Sequence, residues 1–283
     1  MIKVLKPGFY SSIQDIGRIG GQAFGVPVSG TMDAYAGKLA NALLGNKSEV
    51  AVLEITMTGA TFEFNCSTLI CITGADMNPN LNKIQIRNNQ VVHIKEGDVL
   101  SFGKLNRGFR AYLAVFGGFK AKRVMGSYSM YRGITEQTNI KKGDALDINV
   151  ISPTTYNTNA SLRVKSDYIN DITIEVFKGP EFQLLTEIQQ NKLLNSEFTI
   201  SKNNNRMAYQ LNDKLVNNLK PIITSPVLPG TVQLTPSGTL IILMRDCQTT
   251  GGYPRVLQLK NMAINVLSQK FTGNNIRFKL IQF

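Results

Sequence analysis

A mainly β architecture with a few short helices is what this sequence predicts. Short apolar runs alternate with turns rich in Gly, Pro, Asn and Asp, the pattern of a β-sandwich or barrel. One turn device recurs: Glu96–Leu100 reads EGDVL and Lys142–Leu146 reads KGDAL, a Gly-Asp turn followed by re-entry into a strand. Helical periodicity is confined to a few brief stretches.

In chain order the predicted strands are Val52–Met57, Thr61–Phe64, Thr68–Ile72, Val91–Ile94, Val99–Phe102 and Arg110–Val115. They continue with Ile172–Phe177, Phe198–Ser201, Met207–Leu211, Thr231–Leu234, Leu240–Met244, Arg255–Lys260 and Ile276–Ile281. Alternation puts Leu53, Ile55 and Met57 on one face and Glu54, Thr56 and Thr58 on the other, so Glu54 meets either a polar cavity or solvent. Arg110 and Tyr112 share a face. If Arg206–Leu211 is one strand, Arg206 and Tyr209 point to opposite sides.

Apolar residues at Ala36, Leu39, Ala40, Leu43 and Leu44 predict a one-sided helix, capped by Asp33 or Thr31 and stopped at Gly45. A second helix is expected over Glu181–Leu194 and a short third over Asn261–Ser268. The polar stretch Ile151–Asp171 has weak periodicity and reads as a connection. The expected organisation is therefore an N-terminal β-rich half over 1–150, a connecting segment over 151–171 and a C-terminal β-rich half over 172–283.

Composition excludes several classes of chemistry. With 43% hydrophobic residues the chain can bury a core. His93 is the only histidine, which removes His-based triads and His-rich metal centres, so no metal is expected. Cys66, Cys71 and Cys247 form no CxxC pair and predict no disulfide framework. The start MIKVLKPGFY turns to Pro and Gly before a secretory apolar region could form, and no apolar run reaches membrane-spanning length. A cytoplasmic protein is the expectation. The net charge of +12 comes from scattered Lys and Arg and reads as general basicity ahead of specific nucleic-acid binding; an acidic partner protein or an anionic substrate explains it equally well. Neither a GxxxxGK[ST] phosphate loop nor a GxGxxG after a strand occurs, and the Met-Lys-Met of a biotin acceptor is missing.

What remains is a series of Gly-rich polar corners at element ends. Ser11–Asp33 offers Gln14, Asp15, Arg18, Ser29 and Asp33 among several glycines, with an Asp15–Arg18 pair as the simplest way to pin the turn. TGAD ends a strand at Asp76. The run Ile241–Arg255, IILMRDCQTTGGYPR, stops an apolar strand and crowds Arg245, Asp246, Gln248, Thr249, Thr250, Gly251 and Gly252 into one corner.

Taken in order, GFYSSIQDIGRIGGQAFGVPVSGTMD, LANALLGN, LEITMTGATFEF, TGAD, GFRAYLAVFGGF, MGSYS, KGDAL, KGPEF, NRMAYQL, LPGTVQL and RDCQTTGGYP resemble a carboxyltransferase-like family. It includes the C subunit of bacterial ATP-dependent 5-oxoprolinase, proteins described as allophanate hydrolase subunit 2 or as antagonists of a sporulation-kinase inhibitor, and part of urea carboxylase. The resemblance implies two cyclophilin-like β-barrel halves. It also implies work beside 5-oxoprolinase subunits B and A, opening 5-oxo-L-proline to L-glutamate while the complex consumes ATP at a site not located in this chain. Lactam opening needs donors and cations aimed at developing charge. Ser29, Arg110, Arg206, Tyr209, Arg245, Gln248, Thr249, Thr250, Gly251 and Gly252 are the expected substrate-binding set, and Asp33, Asp76 and Asp246 the expected acid–base carboxylates. Two departures stand out: Asn204-Asn205-Arg206-Met207-Ala208 replaces the family's usual Ser-Asp-Arg-Met-Gly, and RGITEQTNIK lacks a Gly-Gly pair. The alternatives are a carboxyltransferase for urea or a similar amide served by a separate biotin carrier, and a regulator that binds a kinase-inhibitor-like partner.

Overall fold

The computed structural model describes residues 1–150 and 164–282. It divides into two compact units, Met1–Arg18 with Ser29–Ile169 and Ile19–Val28 with Asn170–Phe283. The expected 1–150 half thus gives up Ile19–Val28, an excursion built on a single 3-10 turn, Gln22–Phe24. Most of the expected 151–171 connection lies outside the described residues. Its end, the 3-10 turn Asp167–Ile169, belongs to the first unit.

The first unit contains β1 (Ile2–Pro7), β2 (Tyr10–Gln14), α1 (Ala34–Leu43), β3 (Val52–Thr56), β4 (Ala60–Phe64), β5 (Thr68–Asp76), β6 (Asn80–Leu81), β7 (Ile84–Gln85), β8 (Val91–Ile94), β9 (Val99–Ser101), β10 (Arg107–Val115) and β11 (Ala145–Leu146). These make a six-stranded sheet, β11-β1-β4-β9-β6-β7, and a five-stranded one, β2-β3-β10-β5-β8. The main core lies between them: Ile2, Val4, Phe62, Phe64 and Leu100 from one sheet meet Ile13, Leu53, Ile55, Ile70, Ile72, Ala111 and Leu113 from the other. Fully burying each large apolar side chain contributes about 1.5–3 kcal/mol.

The five-stranded sheet is covered on its other face as well. Ala36, Ala40 and Leu44 of the α1 region pack on Val52, Leu69, Cys71, Tyr112 and Ala114. Because successive strand residues alternate faces, covering both sides buries even the polar members of the second set. Asp33 caps α1 by accepting from Ala36 N–H at 3.0 Å. At the other end Gly45 takes a left-handed φ of 69° and donates to the Ala42 carbonyl.

Both Gly-Asp turns are built alike. Gly97 and Gly143 have φ of 87° and 91°, and their N–H groups reach Phe64 O and Val4 O at 2.7 and 2.8 Å. Asp98 and Asp144 each accept from the backbone N–H three residues earlier, Lys95 at 2.7 Å and Lys141 at 2.8 Å. A more consequential carboxylate is Asp15, which is 5% exposed. It accepts from Ser127 and Ser129 hydroxyls at 2.6 and 2.7 Å and from Gly17 and Tyr128 N–H at 2.8 and 2.7 Å. The neighbouring Arg18 donates to the Ser129 carbonyl. The SSIQDIGR and GSYS corners are therefore one knot.

The second unit holds β12 (Thr173–Lys178), α2 (Glu187–Asn195), β13 (Glu197–Asn204), β14 (Ala208–Lys214), β15 (Ser225–Pro226), β16 (Thr231–Leu234), β17 (Thr239–Leu243), β18 (Thr250–Gly251), β19 (Arg255–Leu259), α3 (Asn261–Ser268) and β20 (Asn275–Leu280). Seven strands close a barrel in the order β12-β19-β16-β17-β14-β13-β20, with β12 and β20 parallel at the seam. Its core residues sit at alternate positions: Ile174 and Val176, Phe198 and Ile200, Tyr209 and Leu211, Val232 and Leu234, Ile276 and Phe278. The mainly β expectation holds, with the closed barrel in this unit and two facing sheets in the other. The expected Glu181–Leu194 helix is split, because Thr186 forms a capping box with Gln189 and restarts the chain as α2. No helix among the described residues is long and apolar enough to cross a membrane.

Replacing Asp15 with Ala leaves buried donors unsatisfied and should cost about 3 kcal/mol or more, at roughly 1–3 kcal/mol for each unmade buried bond. Asp98→Ala, in a solvent-facing turn, should cost no more than about 1 kcal/mol. Urea unfolding of the two variants checks this; equal losses would contradict the knot.

Candidate functional site

The register of the five-stranded sheet brings several polar groups level under the N-terminus of α1. Arg110 pairs with Thr56, Tyr112 with both Glu54 and Thr73, and Arg107 with Asp76. Alternation then puts Arg110 and Tyr112 of β10, Glu54 of β3 and Thr73 of β5 on the helix-covered face. All four are 2% exposed or less.

The hydrogen bonds follow from that crowding. Glu54 Oε2 accepts from Tyr112 OH at 2.8 Å and from Met32 N–H at 2.8 Å. The Arg110 guanidinium lies 3.7 Å from the other carboxylate oxygen and stacks 4.8 Å from the Phe109 ring centroid. Tyr112 OH accepts from Asp33 N–H at 2.7 Å. Asp33 Oδ2 takes the Tyr168 hydroxyl at 2.6 Å, and Thr73 donates to Ala36 O at 2.7 Å. A buried carboxylate is tolerated here because a guanidinium and fixed donors replace its water. Asp33 gains in addition from the partial positive charge at the start of α1. Burial, with the adjoining carboxylates Glu54 and Asp33, raises the Tyr112 phenol well above its usual range, and burial with Asp33 does the same for Tyr168. Both phenols stay protonated and act as donors.

Ser29 begins the segment that feeds this layer. It is 1% exposed with a left-handed φ of 57°, and its hydroxyl has no hydrogen-bond partner among the described residues. A left-handed backbone at a residue with a β-carbon costs on the order of 1–3 kcal/mol. A buried, unsatisfied hydroxyl costs about 1–3 kcal/mol more. Asp76, half-buried at the end of β5, accepts from Asn78 N–H at 3.0 Å and Asn106 Nδ2 at 2.9 Å.

The second unit gathers a different set. Arg206 and Asp246 form a buried two-point ion pair, Nε to Oδ2 at 2.8 Å and a terminal nitrogen to Oδ1 at 3.0 Å. Backbone bonds Asp246 N–H to Arg206 O and Met244 N–H to Met207 O zip the same two turns together. Arg206 lies in the turn before β14, which starts at Ala208, so the strand parity expected for Arg206 and Tyr209 does not apply. Tyr209 is fully buried and donates to the Lys270 carbonyl at 3.1 Å, which places it in the barrel core.

The polar corner after β17 divides between support and display. Gly251 pairs with Ser225, and a β-carbon there would lie 2.4 Å from Gln233 Nε2. The Gly252 carbonyl accepts from Ile222 N–H at 2.9 Å and the Thr249 carbonyl from Val227 N–H at 3.0 Å. Arg255, which closes the corner, grips Glu181 of KGPEF through Nε at 3.0 Å and a terminal nitrogen at 2.8 Å. The side chains of Gln248, Thr249 and Thr250 make no hydrogen bond among the described residues, and Arg245 beside them is half-buried.

Sequence reasoning leaves Tyr168 inside the expected connection and does not single out Lys270. Burial pushes the Lys270 ammonium down to about 8 against the opposing pull of Asp171. Burial also pushes the Cys71 and Cys247 thiols up to about 12, which leaves them protonated at neutral pH and poor nucleophiles. No group of His, Cys, Asp or Glu among the described residues could hold a metal ion.

This architecture, a closed barrel in one unit and a helix-covered double sheet in the other, has known relatives. The family model for the carboxyltransferase domain, subdomains A and B, matches residues 24–280. The chain belongs to that family. It is 31% identical to the C subunit of 5-oxoprolinase from Escherichia coli over 98% of this chain and 90% of that protein. It is 28% identical to the Haemophilus influenzae protein of the same name, over 99% and 91%. Among solved structures, Kluyveromyces lactis urea carboxylase superposes with a TM-score of 0.87 at 27% identity; the match covers 99% of this chain and 27% of that one.

Two measurements probe these pairs. Arg110→Met strands Glu54 without its cation and should lower stability by about 3 kcal/mol or more, with Glu54→Gln added to it restoring part of the loss. A single-variant loss below about 1 kcal/mol in urea would show that Arg110 does not balance Glu54. The Arg255 hydrogen bond holds the Glu181 carboxyl below its ordinary value of 4.5. That stabilisation is therefore present above pH 4.5 and lost as pH falls through the folded-state value. Glu181→Gln should cost stability at neutral pH and flatten the acid limb of the stability curve; an unchanged limb would contradict the assignment.

Proposed function

We propose that the chain is the C subunit of an ATP-dependent 5-oxoprolinase, acting with subunits A and B to open 5-oxo-L-proline to L-glutamate. The observation that supports this best is the end-to-end match to a 5-oxoprolinase C subunit, at 31% identity over 98% of this chain. Catalysis is proposed to belong to the complex rather than to this subunit alone.

Each unit, taken by itself, carries groups that suit a small polar amide. Opening a lactam puts charge on its carbonyl oxygen, which fixed donors and a nearby cation stabilise. In the first unit Arg110 offers such a cation near α1, while the phenol protons of Tyr112 and Tyr168 are committed to Glu54 and Asp33. Arg245, Gln248, Thr249 and Thr250 in the second unit suit a carboxylate or phosphorylated group. Asp246 is committed to Arg206 and Asp33 to its cap and Tyr168, so both carboxylates are proposed to position neighbours rather than carry protons. ATP fits poorly at the start of α1, the natural place for a phosphate, because the Asp33 carboxylate already occupies those donors. Nucleotide binding is therefore proposed to fall to the partner subunits.

A second reading, a carboxyltransferase subunit for urea or a similar amide, draws on the urea carboxylase superposition. That reaction needs a biotin carrier, so an avidin-reactive protein co-purifying with this chain would favour it.

The test is reconstitution with the A and B subunits. Glutamate should appear from 5-oxo-L-proline only with ATP, and Arg245→Ala should lower kcat/KM about 10- to 100-fold, the loss of one charge-assisted bond. No product from the complete mixture would remove the 5-oxoprolinase reading; full activity in the variant would remove Arg245 from the site.

A further inference from the structure

The Ser29 hydroxyl is buried and unused among the described residues, on a backbone strained into the left-handed region. Neither feature is needed to make the turn, since glycine at this position would remove both. The surrounding structure nonetheless enforces them. Gly30 follows with φ of 87°, and a β-carbon there would lie 2.9 Å from Gly17 N and 3.0 Å from Asp15 O. Thr31 N–H then reaches Asp15 O at 2.9 Å, Met32 N–H reaches Glu54 at 2.8 Å and Asp33 N–H reaches Tyr112 OH at 2.7 Å. The segment is fastened residue by residue, at one end to the Asp15 knot and at the other to the polar layer. Ser29 is held at their junction.

We propose that Ser29 is a substrate-recognition residue whose hydroxyl is completed by the neutral edge of a small planar amide. The inference rests on the reading that this family member takes an amide, and it names the group that reads it. A hydroxyl both donates and accepts, so it can meet an amide carbonyl or N–H without a change of protonation state. The burial of Ser29 among carboxylates argues for a neutral edge rather than an anion. Glu54 and Asp33 already place carboxylates beside the segment, and Arg110 already faces Glu54 at 3.7 Å. A further anion at that point would meet like charges. Strain and an unmade bond at one residue then have a common explanation: the fold keeps one bonding group for the ligand.

Ser29→Ala and Ser29→Gly separate recognition from structure. In the reconstituted complex Ser29→Ala should raise KM for 5-oxo-L-proline about 10-fold, the worth of one hydrogen bond, with kcat changed far less. Its melting temperature should stay level or rise, and Ser29→Gly should melt higher still while keeping the KM defect. A lower melting temperature with unchanged KM would overturn the proposal, because it would mark Ser29 as structural. If the complex proves inactive, calorimetric titration of the full-length chain with 5-oxo-L-proline, urea and acetamide decides independently. Binding of any of these that Ser29→Ala weakens supports the proposal; equal binding by both proteins, or none by either, overturns it.

Discussion

Everything in the first unit is arranged around the cost of burying Glu54. A carboxylate on a sheet face covered by a helix would be prohibitive without compensation, and the chain supplies it from several directions. Arg110 comes from the neighbouring strand, Tyr112 from the same strand two residues on, and Met32 N–H from the segment leading into α1. Since Met32 and Asp33 must reach Glu54 and Tyr112, the entry to α1 is fixed, and with it the backbone of Ser29 and Gly30. One buried charge thus dictates where the helix begins and which groups converge at its start. Buried networks of this kind are stable only when nearly every member is satisfied, which makes an exception such as Ser29 informative.

The second unit uses charge differently. Two of its ion pairs, Arg206 with Asp246 and Glu181 with Arg255, sit at the edges of the polar corner and tie together turns far apart in the chain. Planar guanidinium–carboxylate pairing with two contacts fixes orientation as well as distance. With Gly251 letting the backbone lie against Gln233, these pairs turn a loop rich in flexible residues into a braced one. The braces free Gln248, Thr249 and Thr250 to present donors from a defined backbone, the arrangement that binding by preorganised groups requires.

Much of this is legible in the sequence where a single physical rule governs. Short β-branched or alternating runs bounded by turn residues, such as Thr231–Leu234 and Val91–Ile94, fall where expected, as does α3 over Asn261–Ser268. The twin Gly-Asp turns are the same structure twice. The strands over Ile2–Pro7 and Tyr10–Gln14 escape the pattern because lysines and serines mask their alternation: Ser11 and Ser12 are buried with their hydroxyls bonded to the Pro7 carbonyl and the Gln14 amide rather than by apolar character. Periodicity extends β3 to Met57, yet the φ of 68° there ends the strand one residue earlier. The polar layer is half visible. Arg110 and Asp33 stand out as polar residues at element ends, and the shared face of Arg110 and Tyr112 follows from parity. Which side of β3 a helix covers is a tertiary matter, so Glu54 reads equally as solvated or enclosed. Tyr168 gives no local signal, because its partner Asp33 lies far earlier in the chain and no short pattern links them.

If a buried, charge-balanced layer under α1 presents the Ser29 hydroxyl to a small amide, a crystal of the chain soaked with 5-oxo-L-proline shows it most directly. Ligand density is expected within hydrogen-bond distance of Ser29 Oγ, with Glu54, Arg110 and Tyr112 unmoved. Density that engages other residues and leaves Ser29 unpartnered would contradict it.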